Sequence, residues 1–164
     1  MLVTLDPVQQ AERLRASAWG DRFPVDPVRI ARRLGIDVRQ APLSDDISGA
    51  LVKKLGQDPT ILLNARDHPN RQRFTAAHEV GHFVSREEAP EEYEYIDLRD
   101  TVFSAAGTNQ DEVFANQFAA HLLMPEREVR RLAEQGYSRT EMALYFGVSQ
   151  DAMGYRITNL SIRV

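Results

Sequence analysis

The chain has 164 residues, 43% of them hydrophobic and 27% charged, with a net charge of −4 and no cysteine. That is enough for one well-filled core and too little for two ordinary domains with a linker. The acidic balance argues against a protein that coats nucleic acid, the missing cysteines exclude a disulfide framework and thiolate metal ligands, and no apolar run approaches the ~20 residues of a membrane span. The opening MLVTLDPVQQ lacks a basic region followed by an apolar one, so no signal peptide is expected and the protein is read as cytoplasmic.

Two short helices are predicted first. DPVQQAERLRASAWG has Asp6 as N-cap, Pro7 at the first helical position and Gly20 after the end, and DPVRIARRLG repeats that punctuation with Asp26, Pro27 and Gly35. IDVRQ, SGALVKK and TILLN then read as short strands of a small antiparallel sheet with at least one hairpin. A helix follows from about Pro69 to Ser85. The stretch from Arg86 to Thr108 is acidic and without clear periodicity, and its length exceeds the roughly 12 to 15 residues of an ordinary connection, so it is expected to be a loop that stays mobile without substrate. Helical pattern resumes from Gln110 to Leu123 and stops before Pro125. Two or three further short helices are expected from EREVRRLAEQG, SRTEMALYFG and SQDAMGYRITNL. The chain thus divides into a core over residues 1–125 and a helical extension over 126–164 that packs on it.

The helix after Pro69 carries FTAAHEVGHFVS. Residues four apart share a helix face, so His78 and His82 can aim their rings at one ion. Glu79, next to the first ligand, can hold a water and take its proton as general base beside an ion that acidifies it. Phe74, Ala77, Gly81 and Val84 form one apolar stripe and Ala76, Val80 and Phe83 another, so the helix is expected to be buried. A lone buried histidine is ordinarily satisfied by a backbone carbonyl. Three polar groups this close are better explained by a shared ion or water cluster, because burying them unpaired is costly. Gly81 signals close approach by another backbone.

DEVFANQFAAHLLMP is the expected neighbour. Glu112 and Asn116 lie four apart on it, flanked by the small residues Ala115 and Ala119. Glu112 is therefore the candidate third ligand, and Asn116 could orient a ligating imidazole through its other ring nitrogen. The plainer alternative for Glu112 is an acidic residue in a first helical turn, favoured by the helix dipole. His121 falls on the opposite face from Glu112, and His68, at the entrance of the metal helix, lies ten residues before His78, or roughly 15 Å along the axis. Both read as ordinary surface or capping residues.

RQRFTAAHEVGH followed by EVFANQFAAHLLMP resembles the ImmA/IrrE family of metallopeptidases, with its HExGH helix and its E-x-x-A-N-x-F-A-x-x-L-L-M-P helix. PVDPVRIARRLGIDVR and SGALV extend the likeness, so that it covers about Pro24 to Pro125. The resemblance implies an α+β, compact zincin-like (gluzincin-like) fold, its small antiparallel sheet packed on the HExxH helix. It implies His78, His82 and Glu112 as ligands of zinc, with manganese or iron(II) as alternatives, and Glu79 as general base. It also implies a protein substrate, a helix-turn-helix repressor encoded nearby, whose cleavage relieves repression of prophage, mobile-element or stress-response genes. SGALVKK is read as the edge strand that would pair with an extended substrate. Tyr93 and Tyr95 are candidates for stabilising an oxyanion.

RTEMALYFGVSQDAMGYRITNL has the form helix, Gly-Val-Ser turn, helix. This is similar to a helix-turn-helix, and a DNA-binding regulator is the rival reading. The would-be recognition helix starts with Asp151 and offers only Arg156 to DNA, which is thin. The other rival is a protein that keeps the metallopeptidase fold and binds its partner without cutting it.

Overall fold

The computed structural model describes residues 6–86, 95–100 and 110–164, with the backbone alone for 95–100. In chain order the elements are α1 (Pro7–Ala18), α2 (Pro27–Arg33), β1 (Asp37–Ala41), β2 (Ile47–Lys53), β3 (Thr60–Asn64), α3 (Pro69–Ser85), β4 (Tyr95–Asp100), α4 (Gln110–Leu123), α5 (Glu126–Glu134), α6 (Arg139–Phe146) and α7 (Gln150–Asn159). Local chemistry sets the helix starts. Asp6 accepts from the Val8 N–H, and Asp26 from the Val28 and Arg29 N–H groups, each just before a proline whose missing N–H costs the helix nothing. His68 is a capping residue, as expected, its Nδ1 accepting from the Asn70 N–H at 3.0 Å.

The four strands lie in the order β1-β3-β2-β4. The antiparallel expectation holds for β2 with β3 and for β2 with β4, whereas β1 runs parallel to β3. The connection from β1 to β2 must therefore cross the end of β3, and Asn64 at that end holds it. This side chain is 1% exposed, and its amide donates to the carbonyls of Leu43, Ser44 and Ile47.

Two expectations are corrected here. Residues 95–100, inside the stretch expected to be a mobile loop, form β4, with Ile96 opposite Val52 and Leu98 opposite Ala50. SGALVKK is consequently no edge strand: β2 lies between β3 and β4, and β1 and β4 are the outer strands of the described sheet. The run of buried residues Ser48, Gly49, Ala50 and Leu51 is what an interior strand covered on both faces shows. The rest of the acidic stretch, including Tyr93, lies outside the described residues, as does the side chain of Tyr95.

α3 passes beneath the sheet, and the two meet at Gly49. A Cβ at that position would sit 2.6 Å from the Leu62 carbonyl oxygen and 2.6 Å from Thr75 Cγ2. On its other flank α3 packs against α4, which in turn packs against α1. One continuous apolar cluster runs from Ala11 and Ile30 through Val80, Phe118 and Leu122 to Leu132, Phe146 and Met153. The C-terminal helices are joined to the rest by polar contacts as well. Asn70 donates to the Val148 carbonyl at 3.3 Å, and Arg73, against the turn at Gly147, donates to the Val25 carbonyl at 3.2 Å. Gly147 has φ 66°, the left-handed conformation that lets α6 stop before α7 begins.

Arg156, the one cation offered to DNA by the sequence, is 5% exposed and points inward. Its Nε donates to the Met124 carbonyl at 2.9 Å and its guanidinium meets the His121 ring at 3.0 Å. His121 is thus half-buried against a cation, not an ordinary surface residue. Burial and the neighbouring Arg156 push its imidazole down to about 4, while Glu126, Glu12 and Asp6 pull the other way. The unfolded chain then takes up this proton before the folded one does, so stability is intact above about 6.5 and declines as pH falls from there toward 4. Thermal melts across that window should show a shallower acid slope for His121→Gln than for wild type. Parallel slopes would show that His121 does not carry the linkage.

Candidate metal centre

From Thr75 to His82 every residue of α3 is buried. Nothing solvates the two imidazoles there, and each must find partners inside the protein. His78 is 0% exposed and His82 3%. His78 Nδ1 lies 2.9 Å from Asn116 Oδ1 on α4. A carbonyl oxygen only accepts, so Nδ1 carries the hydrogen, and Nε2 of a neutral His78 is left with its lone pair. That Nε2 stands 3.1 Å from His82 Nε2 and 3.3 Å from a carboxylate oxygen of Glu112, while His82 Nε2 is 2.8 Å from the other oxygen.

Glu112 reaches this point because α3 and α4 pack closely. A Cβ on Gly81 would lie 3.0 Å from Ala115 Cα and 3.1 Å from Phe118 Cδ1, so anything larger than glycine pushes α4 away. One turn of α4 then separates Glu112 from Asn116, placing the carboxylate over one edge of the histidine pair and the amide against the back of His78. The adjacent imidazoles of His78 and His82 hold the Glu112 carboxyl well below the usual carboxylate range, against the opposing effect of its own burial. It is an anion at any ordinary pH.

Ligand atoms of His78, His82 and Glu112 all lie within 4.8 Å of one another. Ligands about 2.0–2.1 Å from a tetrahedral ion stand about 3.3 Å apart. The observed separations of 2.8, 3.1 and 3.3 Å lie at or somewhat below that edge, and two imidazoles with one carboxylate suit zinc, manganese and iron(II) alike. The donor set therefore fits a divalent ion, with a position to spare for water or substrate. Glu79 is fully buried in the same helix, adjacent to His78. Each residue picked from the sequence for this centre, His78, Glu79, His82, Glu112 and Asn116, lies at or beside it, and His68 and His121 lie elsewhere. Asn64 is a buried polar residue with no part in the sequence analysis. The signal was an asparagine ending an otherwise apolar strand.

A buried His-x-x-x-His pair completed by a glutamate from a second helix, beneath a small sheet, is the centre of an HExxH-type metalloprotein. Comparison with known proteins agrees. Residues 31–158 match the peptidase family M78, the IrrE N-terminal-like domain, and the chain belongs to that family. The radiation response metalloprotease IrrE of Deinococcus radiodurans is 31% identical over 102 residues, which make up 60% of this chain and 30% of that protein. The chain thus matches under a third of that relative's length.

Metal analysis of the purified protein should find one divalent ion per chain, lost in His82→Ala and Glu112→Ala. Asn116→Ala should retain it with about 10- to 100-fold weaker affinity, since the group behind a ligating imidazole tunes it to that extent. Equal metal content in wild type and both ligand variants would rule out this site. Gly81→Ala should weaken metal binding while leaving all ligands in place, measured by competition with a chelator. Unchanged affinity would show that the helix spacing does not control the centre.

Proposed function

We propose that the protein is a cytoplasmic, zinc-dependent endopeptidase in which His78, His82 and Glu112 hold the ion and Glu79 is the general base. The observation that carries this reading is the convergence of two imidazoles and a carboxylate beside a buried glutamate, in a chain that belongs to a peptidase family. A divalent ion bound there would supply Lewis acidity toward a peptide carbonyl and lower the pKa of water. The chain's own residues do the rest. Asn116 fixes the His78 tautomer, so that Nε2 presents its lone pair. Glu79 accepts the proton of the attacking water and delivers it to the leaving amine, roles suited to a carboxylate shielded from bulk solvent. β4, an outer strand of the sheet among the described residues, has backbone groups to which an extended peptide could add as a further strand.

The substrate best matched to this reading is a helix-turn-helix repressor encoded near the gene, cleaved to release prophage, mobile-element or stress-response genes. Sequence-tolerant backbone pairing at β4 leaves specificity to docking of the whole partner, for which residues 126–164 form an extension carried on a core of residues 1–125. The DNA-binding alternative has lost its cation, since Arg156 is committed to Met124 and His121.

Purified protein loaded in turn with zinc, manganese and iron(II) should cut the neighbouring repressor. Glu79→Gln keeps size and much of the hydrogen bonding, so it should retain metal and partner while cutting at least ~100-fold more slowly. Cleavage by this variant at the wild-type rate would overturn the mechanism. A wild-type protein that binds the repressor and leaves it whole with every metal would instead be a binding protein.

A further inference from the structure

Thr75 lies on the ligand-bearing face of α3. At about 100° per residue, Thr75, His78, Glu79 and His82 fall within an arc of roughly 100°, with Glu79 one turn beyond Thr75. The residue is 0% exposed, and its hydroxyl oxygen has no hydrogen-bond partner. A helical threonine commonly gives its hydroxyl to the carbonyl three or four residues back, here Gln72 or Arg71, and this one does not.

Packing explains why. Thr75 Cγ2 is the atom that a Cβ on Gly49 would strike at 2.6 Å, so the methyl is what β2 rests against where it crosses the helix. That contact ties down the methyl, while the hydroxyl makes neither of the helical back-bonds. A buried donor left in this state carries a free-energy cost that calls for an explanation. Glu79, one turn along the same face and also 0% exposed, is an acceptor with about four lone-pair sites when ionised.

We propose that Thr75 is a positioning residue for Glu79. Its hydroxyl donates to the carboxylate, directly or through one water, once the centre is loaded with metal, and so fixes the direction in which Glu79 presents its basic oxygen. The inference rests on the reading of Glu79 as general base. It separates cleanly from a packing role, because the methyl and the hydroxyl of Thr75 can be removed one at a time. Thr75→Val keeps the shape and the contact with Gly49 but deletes the donor. Thr75→Ser keeps the donor and deletes the methyl.

The test compares zinc-loaded wild type, Thr75→Val, Thr75→Ser, Glu79→Gln and the double variant Glu79→Gln with Thr75→Val. The substrate is the neighbouring repressor, or fluorescein-labelled casein if no repressor gene adjoins. Thr75→Val should lower kcat about tenfold, a modest share of what general-base catalysis contributes, with KM and metal content unchanged. Thr75→Ser should restore kcat, and the valine should add nothing in the Glu79→Gln background. Wild-type kcat in Thr75→Val, or a serine variant as slow as the valine one, would overturn the proposal. A wild type that cuts neither substrate defeats the peptidase reading alone. The role of Thr75 is then decided by a crystal structure of the zinc-loaded protein. Thr75 Oγ1 on Glu79, directly or across one water, supports it, and Oγ1 on the Arg71 carbonyl overturns it.

Discussion

Gly81 lets α4 approach until a Cβ there would be 3.0 Å from the Ala115 backbone, and the rest of the centre follows from that spacing. Ala115 occupies the crossing point, and its neighbours Glu112 and Asn116, a turn apart, fall on either side of the histidine pair. Contact distances of 2.8 and 3.3 Å from Glu112 to the two imidazoles leave little slack. Metal–ligand lengths tolerate only about ±0.2 Å. A methyl group in the helix crossing would exceed that tolerance, so glycine is the residue that the chemistry requires here even though it weakens the helix that bears it.

Close packing also prepares the ligands for a cation before one arrives. The two imidazoles keep Glu112 ionised, with His82 Nε2 2.8 Å from its carboxylate, and Asn116 fixes which nitrogen of His78 is bare. The side-chain freedom that a metal would otherwise have to freeze is already lost on folding, which favours tight binding. The contacts among the three ligands are hydrogen bonds, and at least one proton is shared among them. A divalent ion must displace it, so metal affinity should rise with pH.

What could be read in the sequence was mostly local. Asp6–Pro7 and Asp26–Pro27 announce helix starts because capping is decided within three residues. The clustering of the candidate ligands was legible although it joins two distant helices, because Gly81 and Ala115 show the close approach through their small size. The strand order was less accessible. A parallel β1–β3 pair depends on how a loop crosses the end of a third strand, and Asn64, which holds the loop, looks in sequence like an ordinary turn former. β4 was hidden by charge. Ile96 and Leu98 alternate with Asp97 and Arg99 at the period of a strand, but the surrounding glutamates and aspartates masked it. Charged residues on an outer strand are a usual defence against unwanted edge pairing, and composition alone reads them as a loop. Arg156 was misjudged for a similar reason: a buried arginine is rare enough that sequence reasoning places it on the surface.

α1 lies before the segment that defines the family, which begins at residue 31. It is nevertheless a splint for the limb that bears Glu112. Ala11, Arg15 and Ala18 form the buried side of this 12-residue helix. Arg15 donates to the carbonyl of His121 at 3.1 Å, on the same α4 whose first turn supplies the carboxylate. The boundary drawn by family likeness is therefore not a boundary of folding. A fragment cut at residue 31 would keep every group with chemistry to perform and strip one flank of α4 bare, and the ligand helix would lose the brace that fixes its angle. A helix with no reactive residue thus helps to set the geometry of the metal centre.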